Sequence, residues 1–338
     1  MRYYMALMLA LLWGLASGCG LAIAPTLQGK AEDKIEQRLE VSSGGTLRME
    51  VDRGSIEVRA GDERGVLVKV SRKATGRRSR AERLLKQHQV TITQDGNNVG
   101  VKSKLEGSLG RGWFWRSPRL DVRYEVAVPR EYDVILQTAG GKVSVSGVSG
   151  DIRAKTAGGG MDFAEIQGPI NGQTSGGGIS VASCEGRVEI RTAGGGIRVR
   201  EVSGDVQART SGGSIHVEGI RGDALVETSG GGIEVKKVRG QLTAKTSGGS
   251  IHAVLEGQPA GEQILKTSGG SITVYLERNA AFDVDARTSG GRVSTELPVS
   301  TILKGEQKRN TLQGKINEGG TRLFAATSGG SIHLKLNE

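Results

Sequence analysis

From residue 137 onward, apolar and polar residues alternate with a period of two, in short runs broken by glycine. Ile197 and Val199 alternate with Arg198 and Arg200, and Val202 follows. After a turn at Ser203-Gly204-Asp205, Val206, Ala208 and Thr210 alternate with Gln207 and Arg209. A helix would need apolar residues three and four apart, and this stretch does not have them. The alternation predicts two short strands per unit, each closed by a glycine turn.

The unit recurs. Thr-Ser/Ala-Gly-Gly appears with its threonine at Thr138, Thr156, Thr174, Thr192, Thr210, Thr228, Thr246, Thr267, Thr288 and Thr327. The first six intervals are 18 residues, the next two 21 and the last 39. A fixed period marks a repeat architecture, in which each unit buries against its neighbours a face it cannot bury alone. Five residues after each threonine stand Val143, Met161, Ile179, Ile197, Ile215, Ile233, Ile251, Ile272, Val293 and Ile332. Two further on stand Val145, Phe163, Val181, Val199, Val217, Val235, Ala253, Val274, Thr295 and Leu334. Stacked at about 4.8 Å, these columns form apolar ladders inside the coil. The columns between them hold Ser, Arg, His, Glu and Lys with no fixed identity. The expected fold is all-β: a parallel β-solenoid, or single-stranded β-helix of 18 residues per coil, preceded by a smaller, irregular β-rich domain. Its 54 glycines would suggest disorder if they were not periodic.

Ahead of the repeat, candidate strands are Thr46–Val51, Ser55–Arg59, Val66–Val70, Gln89–Thr93, Val99–Ser103 and Leu120–Val128. The one predicted helix is Ser79 to His88, with Leu84, Leu85 and His88 on one face and Ser79 as its cap. After Leu255, Gly257–Gly261 and Arg278–Ala281 are loop insertions and Leu297–Asn310 is a longer excursion. The chain is expected to re-enter the stack at Leu312–Ile316 and end on Ser331–Leu336, with Asn337-Glu338 a thin polar cap.

The first 19 residues have the layout of a targeting segment: Arg2, an apolar core from Ala6 to Leu15, then Ala16-Ser17-Gly18-Cys19. This resembles a bacterial lipoprotein signal, which would make Cys19 the acylated first residue of the mature chain. Gly20 resembles the outer-membrane-directed version of such signals. The apolar core is too short to span a bilayer. The expected division is 1–19 signal, 20–40 tether, 41–136 basic β-rich domain and 137–338 repeat domain. Cys184 is then the one remaining cysteine, in an inward column with Val148, Ile166, Val202, Ile220 and Val238, where a thiol acts as a small hydrophobe.

The repeat, the run Val122-Arg123-Tyr124-Glu125-Val126-Ala127-Val128-Pro129 before it, and the closing Leu312-Gln313-Gly314-Lys315-Ile316-Asn317-Glu318-Gly319-Gly320 together resemble a bacterial putative-adhesin family of unknown function with β-strand repeats. The resemblance spans residues 41–338. It implies a secreted or surface-anchored β-solenoid and brings no catalytic residue with it.

Chemistry in the repeat is sparse. A phosphate loop needs Lys-Ser/Thr after its glycines and a following helix, and neither is present. Calcium-binding β-rolls set an aspartate beside each Gly-Gly; here Asp151, Asp205 and Asp223 lie at the opposite turn and give way to Pro169, Arg187 and Gln241. His216, His252 and His333 share an outward column, the first two separated by Glu234, two rungs or about 10 Å apart and too far to share a metal. His333 is expected farther off still. Asp162 with Glu165, and Glu201 with Asp205, are the carboxylate pairs a polysaccharide-processing β-helix would need, but no aromatic sugar cleft accompanies them. No cofactor or metal is expected.

Charge changes the picture more. The chain carries 46 basic and 36 acidic residues, net +10, and residues 64–130 alone hold 16 and 5, net +11. The excess therefore belongs to the segment before the solenoid. An exported protein has little occasion to meet nucleic acid, so anionic lipid, lipopolysaccharide or wall polymer is the expected partner, with the membrane itself reached through the lipid anchor. Trp113-Phe114-Trp115, flanked by Arg111, Arg116 and Arg119, reads as an exposed aromatic loop and a candidate membrane or polyanion contact. The expected function is that of a lipid-anchored, extracytoplasmic binding or structural module, outer-membrane in location and not an enzyme. The alternatives are a polysaccharide-processing β-helix enzyme and a self-assembling envelope scaffold, the latter depending on how the last rung is capped.

Overall fold

The computed structural model describes residues 29–61, 64–106, 119–300 and 309–337. Its first elements are β1 (Gly29–Leu39), β2 (Gly45–Val51), β3 (Ser55–Ala60), β4 (Val66–Gly76), α1 (Arg78–Gln87), β5 (His88–Asp95), β6 (Asn98–Leu105), β7 (Arg119–Val128), β8 (Tyr132–Thr138) and β9 (Val143–Ser146). Fourteen strands follow as β10 to β23 between Ile152 and Leu276, closing on β22 (Gln263–Thr267) and β23 (Ile272–Leu276). The chain ends with β24 (Phe282–Thr288), β25 (Val293–Thr295), β26 (Val299–Ser300), β27 (Thr311–Ile316), β28 (Thr321–Thr327) and β29 (Ile332–Leu336).

These strands make two long sheets, of fourteen and fifteen strands, each coil giving one strand to each sheet. The register is the 18-residue period itself: Ile179 lies on Ile197 and Ile197 on Ile215, while Val181 lies on Val199 and Val199 on Val217. Ile197, Val199, Val206 and Ala208 are buried, and Arg198 and Arg200 beside them are exposed. Burying each such aliphatic side chain contributes about 1.5–3 kcal/mol, and no coil can do so without a neighbour on each side. The columns even compensate in size. Phe163 is the one ring in its ladder, and the facing column has Gly172, where a Cβ would meet Phe163 Cε2 at 3.1 Å.

Residues 29–39, expected within a tether, instead form the edge strand β1, antiparallel to β4. Ala31, Ile35 and Leu39 are the apolar residues of its inner face, with Asp33 among them. It is held by register and by charge, with Glu36 on Lys69 at 3.1 Å, Glu32 on Lys73 at 3.0 Å and Asp33 on Arg72. The helix lies where expected, but Arg77 is its N-cap and no side chain caps it, so Ser79 sits inside the first turn.

Both ends of the stack are laid out of chain order. The rung of β2 and β3 lies between the rung of β6 and β7 and that of β8 and β9. At the other end, the rung of β28 and β29 slots between that of β22 and β23 and that of β24 and β25. The 39-residue interval is the path out to the end and back. Leu312–Ile316 does not continue the parallel stack, because β27 runs antiparallel along β24. Asn337 does not cap the stack either: its N–H bonds to Leu276 O at 2.8 Å, inside the ladder. His333 therefore lies beside Thr273 and Ser294, two rungs from His252 and no farther from it than His216 is.

Candidate functional site

The recurring motif is used up by the fold. Thr192 is 6% exposed, and its Oγ1 donates to Gly177 O of the previous rung at 2.7 Å while accepting the N–H of Gly195 at 3.3 Å. The same pair of bonds recurs at Thr210, Thr228, Thr246, Thr267 and Thr327. At the opposite turn, Asp205 Oδ1 accepts the N–H of Asp223 at 3.0 Å and Asp223 Oδ1 that of Gln241 at 2.8 Å, so these aspartates join rung to rung. Glu165, Ser183, Glu201 and Lys237 all take positive φ in one column that also holds Gly147 and Gly219, a kink repeated at six consecutive rungs.

The outer surface is what remains for function. In the column Lys142, Gly160, Gly178, Gly196, Ser214, three successive rungs lack a side chain. The result is an open groove of about 440 Å³, floored by the glycines, closed by Lys142 and Ser214 and rimmed by Asp162, Ser180, Arg198 and His216. Lys142 pairs with Asp162, and His216 Nδ1 lies 2.9 Å from Glu234. Arg198 is exposed and makes no ion pair among the described residues. Three consecutive triple glycines, Gly158 to Gly160, Gly176 to Gly178 and Gly194 to Gly196, were the sequence signal for this groove. On the other sheet Leu225, Ile264 and Phe324 point outward and are half-buried, with Lys266 Nζ 5.0 Å and Arg322 Cζ 5.1 Å from the Phe324 ring centre. Single apolar residues in polar columns gave no warning of that strip.

At the N-terminal end the threonine device is replaced. Ser103 stands in register with Val51, and Val51 with Thr138, so Ser103 occupies the threonine column and meets Tyr124 Oη at 2.5 Å. Asp52 Oδ2 accepts the N–H of Leu105 at 2.8 Å, and Arg72 Nη1 donates to His88 O at 2.6 Å. His88 is buried with both ring nitrogens unpartnered and Nε2 3.9 Å from Asp52 Oδ1. Burial pushes the Tyr124 hydroxyl up to about 12. Burial also pulls His88 below its usual 6.5, helped by Arg72 and Arg53 and opposed by Asp52.

The unfolded chain therefore takes up the His88 proton first. Stability from this group is present above about pH 6.5 and is lost as pH falls from there through the lowered folded value. The unfolding midpoint is expected to drop between neutral and mildly acid pH, and to drop less in His88→Gln. Equal slopes in both proteins would assign the acid sensitivity elsewhere.

The model of one family covers most of this stack. The Toastrack DUF4097 family matches residues 46–335. The chain belongs to the Toastrack DUF4097 family. No curated protein matches it. Among solved structures, this Toastrack chain is similar to a "putative cell adhesion protein" from Clostridium sporogenes, at 11% identity over 91% of this chain and 100% of that one, with a TM-score of 0.23. It is similar to a "putative adhesin" from Bacteroides fragilis at 10%, over 90% and 97%, with a TM-score of 0.26. A "putative lipid binding protein" from Parabacteroides distasonis reaches 12%, over 90% and 97%, at 0.32. Similarities this distant say nothing of what the Toastrack chain binds.

Of the residues singled out in the sequence, Cys19, Arg111, Trp113, Phe114, Trp115 and Arg116 lie outside the described residues. Arg119 is exposed at the start of β7, opposite Thr75 on β4. The carboxylates noted for hydrolysis have other partners: Asp162 pairs with Lys142, and Glu201 accepts from Ser183 at 3.0 Å. Cys184 is 2% exposed, burial raises its thiol pKa, and its Sγ lies 3.2 Å from Ala182 O.

Proposed function

We propose that this Toastrack chain is a non-catalytic binding module of the cell envelope, anchored through an acylated Cys19, and that it holds an extended polar polymer in the glycine-floored groove. One observation carries the reading. The polar residues that recur in the repeat are spent on bonds within the stack, whereas three successive rungs omit a side chain in a column that holds serine at Ser214, Ser250, Ser271 and Ser331. Met161, Ile179 and Ile197 reach the groove only as buried residues behind the glycine floor, and its exposed rim is polar, which suits a hydroxyl-rich or anionic chain rather than an acyl tail. Ser180, Arg198 and His216 are the donors along its rim. The three glycines span about 10 Å at the β-strand spacing, enough for two or three sugar residues.

The test fills the groove without disturbing the corner. Serine already stands in this column at Ser214 and Ser250, so Gly178→Ser, whose Cβ would lie 3.0 Å from Gly196 O, should need a shift of a few tenths of an ångström and lower the unfolding midpoint only slightly. On an array of envelope glycans and lipids, the chain from residue 20 should retain a polysaccharide, and Gly178→Ser or Arg198→Ala should weaken that retention about tenfold, the worth of one charge-assisted hydrogen bond. Equal retention by the filled groove would rule the site out. The anchor is read separately: the cell-derived protein should carry acyl mass at Cys19, and Cys19→Ala should leave the membrane fraction.

A further inference from the structure

We propose that α1, with Arg119 beside it, is the face on which the N-terminal end of the solenoid rests against an anionic phospholipid leaflet. The proposal takes from the reading above only the envelope location, not the groove. The basic excess before the repeat is unevenly matched. On β4, Lys69, Arg72 and Lys73 are answered by Glu36, Asp33 and Glu32 of β1, while Lys102 meets Glu50 and Arg123 meets Glu57 and Glu125. Of what is left among the described residues, Lys104 and Arg130 stand apart and the rest lies on α1, its cap and Arg119 beside it. Arg77, Arg78, Arg80, Arg83 and Lys86 are all exposed, and among the described residues only Arg78 has an acid, Glu82 at 3.0 Å.

The helix has one inner face. Ala81, Leu84 and Leu85 pack on Ala74, Ala31, Leu105 and Leu120, which leaves the opposite side, with Arg83 and Lys86, to solvent. Like charges three apart repel along a helix. Arg77, Arg80, Arg83 and Lys86 have that spacing with no acid between them except Glu82, which Arg78 already holds. Such a row weakens the helix unless something outside it is negative.

Topology supplies the occupant. Gly29, where β1 begins, pairs with Gly76, the residue before the Arg77 cap. The chain thus arrives from Cys19 beside the start of the basic helix. The nine residues between Cys19 and Gly29 reach at most about 36 Å. A membrane holding the anchor therefore lies within reach of α1, and a leaflet of anionic headgroups is the extended negative surface a row of cations fits. Arg119, opposite Thr75 one step from Gly76, widens the same corner. The far rungs, with the groove, then project away.

The experiment is co-sedimentation of the non-acylated chain from residue 20 with phosphatidylcholine vesicles containing or lacking phosphatidylglycerol. Binding should require phosphatidylglycerol and weaken with salt. Arg77→Gln, Arg80→Gln, Arg83→Gln and Lys86→Gln together should weaken it on the order of several hundredfold, about fivefold per cation. The unfolding midpoint should hold or rise. If that variant loses its fold, Arg83→Gln with Lys86→Gln, both on the outer side of the helix, decides with an expected loss of roughly twentyfold. Unchanged binding by the variants, equal binding to neutral vesicles, or binding to lipopolysaccharide or a phosphate-rich wall polymer in place of the vesicles would overturn the proposal. Gly178→Ser should leave vesicle binding intact, so loss of the groove and loss of this contact are read apart.

Discussion

Val199→Asp should lower stability by about 4 kcal/mol or more, while Arg198→Asp next to it should stay within about 0.5 kcal/mol. Val199 is 0% exposed and sits between Val181 and Val217 in the inner ladder of the first sheet. A carboxylate there meets only aliphatic neighbours, so it either stays charged and unpaired or folds protonated at the expense of its own solvation. Arg198 points outward, with Ser180 and His216 on the adjoining rungs, and water can solvate either side chain. A solenoid passes stability only between adjacent rungs, so the damage should appear as a broadened transition as well as a lower midpoint. Thermal unfolding followed by circular dichroism checks both. Equal midpoints would mean that the two columns are not inside and outside.

Two glycines in one corner should behave oppositely. A Cβ on Gly195 would lie 2.2 Å from Gly177 O, the same carbonyl that accepts the Thr192 hydroxyl at 2.7 Å. A Cβ on Gly194 would come no closer than 3.2 Å to Gly176 O. Gly195→Ala must push two rungs apart or break the threonine bond, and should cost about 3 kcal/mol. Gly194→Ala needs a shift of a few tenths of an ångström in an exposed corner and should cost under about 1 kcal/mol. Both backbones have ordinary φ, so the contrast isolates close approach of stacked chains from conformational freedom. A measured order that is reversed, or no difference, would refute the stacked-corner account.

The middle of the stack was legible because two periods agree there. Alternation along each strand assigns the faces, and the constant 18-residue spacing assigns the neighbours, so Ile197 could be placed on Ile179 without coordinates. The ends were not legible for the same reason. Every rung presents the same backbone edge and similar columns, so nothing local to Ile332 says that it belongs between Ile272 and Val293 and not beyond them. β1 escaped notice because its partner supplies its stability: Glu32, Asp33 and Glu36 read as a solvated stretch until Lys73, Arg72 and Lys69 stand opposite. His88 was expected on the helix face with Leu84 and Leu85, but the helix ends at Gln87 and His88 opens β5; its burial, its unpartnered nitrogens and the nearby Asp52 were not legible, since 36 residues separate the two in the chain.

What the sequence by itself determined is the coil: which side chains face in and where the corners turn. Those are short-range facts, set by the pleat of a strand and the space at a turn. Tertiary structure alone decided the order of the rungs at both ends, the pairing of charges that leaves α1 without acids, and the bonds and close approaches that use the threonines and glycines of the corners. Each of these depends on which distant segments meet. Backbone pairing between equivalent rungs is nearly degenerate, so the choice falls to how loops, caps and strand edges close the two ends.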